Sequence, residues 1–248
     1  MMNYQKEGER IDDLGIAGYH ILQKPGAFCF GMDAVLLADF AEARKNEQVL
    51  DLCSGTGIIP ILMKARYPEA VYTGLEIQEE MTDMAERSVR MNGLEHSIRM
   101  IHGDLKEIRS LLPGNQMHVV TVNPPYIKGV SGLKNQTEAV TGARHEVLCT
   151  LEDVLAASAY VLRSSGRLYM VHRPRRLPEI LSAMQQYHLE PKRMRFVHPY
   201  IDKEPNLVLI EAVKGGGPQL TVLAPLIVYD APGQYRDEIY RIYHIRKV

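Results

Sequence analysis

Cysteine is scarce in this chain. Its 248 residues carry three, Cys29, Cys53 and Cys149. The number is odd and no CxxC pair exists, which argues against a zinc site or a disulfide framework and leaves free, reduced thiols as the expectation. An excess of one charge is missing too, since 29 Lys and Arg stand against 30 Asp and Glu. That balance neither advertises a nucleic-acid partner nor excludes one; what matters is whether positive charge gathers on one face. No apolar run approaches the roughly 18 residues of a membrane span. The stretch from Met1 to Asp13 is polar and lacks a signal-peptide apolar core, so a cytoplasmic protein is expected. Repeats, low-complexity tracts, heptads and large apolar stripes are absent, so the sequence is silent on oligomeric state. What remains is an ordinary globular composition, 46% hydrophobic and 24% charged, in a chain long enough for one α/β domain with small additions.

Residues 1–32 read as a lead-in of β-hairpin character, with Tyr19-His20-Ile21-Leu22 after a glycine-rich turn. Asp33 is placed to cap a short helix through Ala34–Ala38. From Val49 strands and helices alternate. Strands are expected at Val49–Leu52, Val71–Glu76, Ile98–Ile101, Met117–Val122 and Arg167–Val171. Helices are expected at Ile58–Ala65, Glu79–Met91, Leu151–Leu162 and Leu177–Tyr187. Met194–Val197 and Leu207–Val213 form a last pair of strands. This rhythm predicts a largely parallel sheet covered on both faces. Gly215-Gly216-Gly217-Pro218 interrupts it. A further strand at Leu223–Val228 and a helix around Arg236–Tyr243 follow, in a tail too small to be a domain. The expected division is therefore 1–32, 33–214 and 215–248.

Two loops carry the chemistry. In Asp51-Leu52-Cys53-Ser54-Gly55-Thr56-Gly57, between a strand and a helix, Gly55 and Gly57 let backbone approach a ligand closely. A dinucleotide site would want a third glycine where Pro60 stands, which argues against NAD. S-adenosylmethionine (SAM) has no pyrophosphate and does not need that glycine. Glu76 closes the next strand, where a carboxylate can accept both ribose hydroxyls. Asp104, after the third strand, can accept from the adenine amino group of such a cofactor. All three elements fall at the carboxyl ends of strands, where open α/β sheets bind ligands.

The second loop, Asn123-Pro124-Pro125-Tyr126, follows the apolar run Val119-Val120-Thr121-Val122. Two prolines cannot continue a strand, so the chain turns there and is stiffened. The side-chain carbonyl of Asn123 and the main-chain carbonyl of Pro124 can accept both hydrogens of a planar exocyclic amine. Such acceptors orient a poorly nucleophilic nitrogen and stabilise the positive charge that develops as it is alkylated. The ring of Tyr126 can stack on the base, a contact worth about 1–3 kcal/mol. No general base is required, because a cationic product loses its proton easily.

These loops resemble class I SAM-dependent methyltransferases that act on amino groups. Phe28-Cys29-Phe30-Gly31-Met32-Asp33-Ala34-Val35-Leu36-Leu37 and Ala143-Arg144-His145-Glu146 narrow the resemblance to the bacterial tRNA(Val) adenine-N6 methyltransferase family, over a body from about Gln23 to Lys214. The resemblance implies an α/β, Rossmann-like fold: a seven-stranded, mostly parallel sheet with helices on both faces, its methyltransferase domain within 33–214. It implies SAM as cofactor and tRNA as partner; cysteine spacing and the lack of long apolar runs lead to the expectation of no metal and no membrane. The target would be the adenosine 3′ of the anticodon. Asp51, Cys53, Gly55, Gly57, Glu76 and Asp104 would line the cofactor pocket, bordered by Phe30, Gly31 and Asp33 and reached by Asn123. Asn123, Pro124, Pro125 and Tyr126 would hold the base. Many relatives have glycine where Cys53 stands; a small thiol fits that turn if its φ stays negative.

For the RNA, Arg173, Arg175, Arg176, Lys192, Arg193, Arg195 and Arg241 are the candidate contacts. Arg236, Arg246 and Lys247 add charge near Tyr235, Tyr240 and Tyr243. Basic residues beside aromatics suit phosphates and unpaired bases, although such runs also occur as plain solvated faces. His145 reads as a packed or surface histidine rather than a catalyst. The competing functions are a protein glutamine-N5 methyltransferase, an rRNA guanine-N2 enzyme, a DNA adenine methyltransferase and a non-catalytic SAM- or RNA-binding module. A hydride-transferring oxidoreductase is disfavoured by Pro60. Only about fifty residues precede Asp51, too few for the helical domain expected of the glutamine enzymes. No recognition domain of the DNA type is visible, the guanine enzymes commonly carry Phe in place of Tyr126, and a non-catalytic module has no need of Asn123.

Overall fold

The structure is a computed structural model describing residues 4–26, 29–125 and 149–245. Phe28, Tyr126, the Ala143–Glu146 stretch with His145, Arg246 and Lys247 lie outside the described residues. The chain opens with an antiparallel hairpin, β1 (Arg10–Asp13) and β2 (His20–Gln23). Then come α1 (Met32–Phe40), β3 (Gln48–Leu52), α2 (Ile58–Arg66), β4 (Val71–Glu76), α3 (Glu79–Met91), β5 (Ile98–His102), a short α4 (Ile108–Leu111) and β6 (Met117–Val122). The second half runs α5 (Leu151–Val161), β7 (Leu162–His172), α6 (Leu177–Gln186), β8 (Leu189–His198) and β9 (Leu207–Lys214). The tail holds β10 (Thr221–Val222), β11 (Leu226–Ile227), β12 (Tyr229–Ala231), β13 (Gln234–Tyr235) and α7 (Asp237–Ile242).

Among the described residues seven long strands form the main sheet in the order β8-β9-β7-β6-β3-β4-β5, and the two-residue β10 and β11 extend it beside β8. The five from β7 to β5 are parallel, whereas β9 runs antiparallel between β7 and β8. Strand alternation sends apolar side chains to both faces, as parallel strands buried between helix layers require. Val49, Tyr72, Val119, Tyr169 and Val171 pack with α1, α2, α3 and α7. Leu50, Leu52, Val120, Val122, Leu168 and Met170 pack with α4, α5 and α6. After β3 the chain moves outward to β4 and β5, then crosses back to place β6 on the other side of β3. The crevice above that reversal is where such sheets bind ligands.

Three local expectations need correction. Asp33 does not cap α1: Gly31 is the N-cap, and Asp33 sits inside the first turn with its Oδ1 accepting the Ala34 N–H at 2.9 Å. A continuous strand at Leu223–Val228 is not formed. Pro225 has no N–H to give, the Ala224 carbonyl accepts from Arg195 instead, and β-pairing survives only as β10 and β11 on either side. Strand β7 starts well before Arg167, at Leu162, and crosses an irregularity in its pairing with β6 where Ser165 takes φ +60°.

The tail packs inward. Ile239 and Ile242 of α7 join the core beneath α1, and Arg66 of α2 donates to the Ile242 carbonyl at 2.9 Å. The N-terminal hairpin is held at the other side. The Leu22 N–H donates to Ser88 Oγ of α3 at 3.0 Å, and Asn92 brackets the His20 backbone through both its amide atoms.

Candidate active site

The loop after β3 is built on positive φ angles. Gly55 and Gly57 take +54° and +80°, and Cys53 takes +57°. A side chain at Gly57 would press on Ala85 of α3, with its Cβ 3.3 Å from that of Ala85, whereas the space a side chain would fill at Gly55 is open. The helix start is thus packed down, while no described atom crowds the loop crest. Cys53 does not keep a negative φ, contrary to the sequence expectation. It occupies the left-handed region that favours glycine, which explains why glycine suits this position.

Register places the candidate residues on one rim. Leu52 pairs with Leu75 on one side and Val122 on the other, so Cys53, Glu76 and Asn123 lie level, one residue further along. Glu76 in turn pairs with His102, just before Gly103 and Asp104. Glu76 is 4% exposed, and its Oε2 accepts the Gly55 N–H at 2.8 Å while Oε1 accepts the Gln78 N–H at 2.9 Å. Oε1 also accepts from Gln78 Nε2 at 3.4 Å, whereas Oε2 keeps a further lone pair for a ligand hydroxyl. Asp104 caps a single 3₁₀ turn: Oδ1 accepts from the Lys106 N–H at 2.9 Å and Oδ2 lies 3.3 Å from Lys106 Nζ.

Beneath the rim lies Asp51, 1% exposed. Its Oδ1 accepts the Thr121 hydroxyl at 2.7 Å, whereas its Oδ2 is buried with no hydrogen-bond partner among the described residues, as is the Ser54 Oγ. Burial pushes the Asp51 carboxyl up to about 7, against the smaller opposing pull of the Ser54 and Thr121 hydroxyls. Ser54 exerts that pull by proximity, since its Oγ makes no bond of good geometry. Thr121 was not among the sequence candidates, although it is the one polar residue in the run Val119–Val122 and shares a face with Asn123. Asn123 is half-buried, Pro124 buried and Pro125 half-buried at the end of β6.

Gly31 and Asp33 begin α1, and the Phe30 N–H donates to Oε1 of the buried Gln23 at 3.1 Å. Another neighbour of the loop was missed: Cys149, immediately before the Thr150 that caps α5, has its sulfur 3.9 Å from that of Cys53. No local spacing announces a contact between residues so far apart in the chain.

The basic candidates divide. Arg193 is paired with Glu211 and, at 2.9 Å, with Glu42; Arg195 holds Glu238 at 2.8 Å; Arg176 pairs with Glu179; and Lys192 donates to the Gly217 carbonyl. Arg173 reaches the Asn206 carbonyl at 3.1 Å. Arg175 and Arg241 are exposed. Because Val122 pairs with Met170, Pro124 lies level with His172, and Arg173–Arg176 follow beside the Asn123 turn. Tyr235 stacks on Tyr229 at 5.1 Å and on Tyr243 at 6.1 Å, so these rings already contact one another. Among the described residues, no group of three or more His, Cys, Asp or Glu could hold a metal ion, and no helix is long and apolar enough to cross a membrane.

A sheet in this order, with an antiparallel penultimate strand and a glycine loop after its first long parallel strand, has the fold of a class I methyltransferase. The chain belongs to the methyltransferase small domain family, whose model matches residues 18–196. It is 27% identical over 232 residues to a tRNA1(Val) (adenine(37)-N6)-methyltransferase of Porphyromonas gingivalis, covering 90% of each chain. It is 25% identical to the protein of the same name from Pedobacter heparinus, covering 88% of this chain and 91% of that one. Among solved structures, a predicted O-methyltransferase from Agrobacterium tumefaciens superposes with a TM-score of 0.70 at 24% identity, over 88% of this chain and all of that one.

Proposed function

We propose that this protein transfers the methyl group of SAM to the N6 amine of an adenosine in tRNA, the base 3′ of the anticodon in tRNA(Val). The observation that carries this reading is the level placement of Asn123, Cys53 and Glu76 on one rim. It sets an amine-binding carbonyl beside a loop suited to a nucleoside cofactor. The names of the two relatives point to the same substrate and the same nitrogen. Such a substrate would place the protein in the cytoplasm.

The residues present fit SAM. Among the described residues buried Asp51 Oδ2 has no partner and offers a seat for the cofactor's ammonium, and nothing fills the space at the Gly55 crest. Glu76 would accept the ribose hydroxyls and Asp104 the adenine amine. SAM supplies an electrophilic methyl on a sulfonium. Asn123 Oδ1 and the Pro124 carbonyl would take the two N6 hydrogens of the target, aiming the nitrogen lone pair outward and favouring the charge that builds on it. The proline-stiffened turn holds these acceptors in place before the substrate arrives, which supplies the proximity contribution. Tyr126 would cover the face of the base. The target lies in a loop and is already partly unstacked, so drawing it out costs only about a few kcal/mol.

Asn123→Ala should still bind SAM and reduce methyl transfer by at least 100-fold, measured with purified protein and tRNA. Full activity in that variant removes the amine clamp. Nucleoside mass spectrometry of tRNA from cells lacking the protein should show N6-methyladenosine missing from one tRNA. Intact tRNA accompanied by undermethylated protein glutamine would shift the assignment to the amide-methylating alternative.

A further inference from the structure

We propose that Cys53 and Cys149 form a reversible disulfide that disables the cofactor loop. The inference rests on the assignment of that loop to SAM. The two sulfurs come from elements far apart in sequence yet lie 3.9 Å from each other, and both thiols are free and only half-buried. Disulfides that form inside cells are usually transient and redox-sensing. The third cysteine, Cys29, has its sulfur 3.6 Å from the Lys24 carbonyl and so serves as an internal control.

Geometry fixes the consequence. A disulfide needs its sulfurs about 2.05 Å apart. Closing from 3.9 Å brings the sulfurs nearer by roughly 2 Å, through side-chain rotation and movement of the loop, and ties the loop covalently to the start of α5. The soft partner is the loop, whose neighbouring Gly55 and Gly57 have few barriers to rearrangement. The Gly55 N–H now anchors the loop to Glu76 Oε2 at 2.8 Å, and a bond drawn from Cys53, two residues away, pulls against that anchor. The carboxylate assigned to the ribose would then lose its alignment with the loop crest.

The chemistry divides between the two residues. Hydrogen bonding from Cys53 holds the Cys149 thiol below its usual range, while that same interaction and burial push Cys53 well above its own. Attack can start from either thiol and ends in the same bond; from Cys149 it runs in two exchanges. Its thiolate attacks a low-molecular-weight disulfide, forming a mixed disulfide and releasing one small thiolate. Cys53 then loses its proton and attacks the Cys149 sulfur, expelling the second small thiolate. The pair gives up two electrons and two protons, and the small disulfide is reduced to two thiols.

The test uses the full-length protein with oxidised glutathione as the probe. Peptide mapping by mass spectrometry should find a Cys53–Cys149 link with Cys29 still alkylatable. The SAM Kd should rise at least tenfold and return after dithiothreitol. Cys149→Ser should bind SAM as the reduced wild type does and stay unaffected by the oxidant, whereas Cys29→Ser should keep full sensitivity. Three results overturn the proposal: no Cys53–Cys149 peptide in the oxidised wild type, a linked protein that keeps its SAM affinity, or a Cys149→Ser protein that is equally inhibited. Failure of the reduced protein to bind SAM at all would count instead against the assigned function, and the mapped link would stand apart from it. Should Cys149→Ser not fold, mapping and titration of the wild type decide alone.

Discussion

Asp51 is a carboxyl held where water barely reaches, with one oxygen tied to Thr121 and the other unsatisfied. Its acidity is shifted to about 7 by burial. Between about pH 4, where an unfolded aspartate loses its proton, and about pH 7 the folded chain keeps a proton that the unfolded chain has released. Stability contributed by this group therefore falls as pH rises through that window and levels above it. The loss amounts to a few kcal/mol at most, since each tenfold change in proton affinity is worth about 1.4 kcal/mol. A cationic ligand seated on Oδ2 would favour the ionised form. SAM binding should then release a proton below pH 7, and its Kd should fall as pH rises from 5 to 7. Asp51→Asn should remove both the proton release and the slope, read by calorimetry in buffers of different ionisation heat. A pH-independent Kd in the wild type would count against the ammonium seat.

At the scale of elements, helix α3 fastens the N-terminal segment to the domain. Arg87 reaches Glu9 at 2.6 Å and Asp83 at 2.7 Å, and it also donates to the Tyr4 carbonyl. The Glu9 side chain is 4% exposed, and its hydrogen bond to Arg87 holds its carboxyl below the usual range despite the penalty of burial. Removing the guanidinium leaves that carboxylate only the Lys6 N–H, at 2.8 Å, which costs about 3 kcal/mol. Arg87→Ala should therefore lower stability by roughly that amount at neutral pH, measured by urea denaturation. A depressed carboxyl pKa stabilises above the unfolded value and stops doing so as pH falls through the folded one. The gap between Arg87→Ala and wild type should accordingly narrow as pH drops below about 4. A gap constant with pH would show that Arg87 acts only by packing its stem.

For the whole molecule, the basic residues fall into those the fold consumes and those it leaves at the surface. Arg193 ties β8 to β9 and to Glu42 beyond α1, and its guanidinium lies 5.3 Å from the Phe40 ring centre. Arg175 is exposed on the turn after β7, beside the Asn123 corner. Arg175→Ala should weaken tRNA binding and reduce the slope of log affinity against log salt by about one. Arg193→Ala should instead destabilise the fold by about 2 kcal/mol, because Glu211 would be left buried and unpaired. An unchanged salt slope for Arg175→Ala would remove this turn from the RNA surface. The two variants together separate phosphate contacts from structural pairs, which their shared charge alone could not.

The central strands from β3 to β6, the glycine turn and the proline corner were legible from residue type. Alternation and chain stiffness are local properties: β4, β6 and α3 fall at Val71–Glu76, Met117–Val122 and Glu79–Met91, as their patterns require. Even the level placement of Glu76 and Asn123 follows once parallel strands of this order are assumed. Tertiary structure alone decided the rest. It set Thr121 against Asp51, brought Cys149 to Cys53, consumed Arg193 and Arg195 in ion pairs, and inserted β9 antiparallel between β7 and β8. Each of these joins residues from separate elements, and the free energy of such a contact depends on burial and approach distance, which no local pattern encodes.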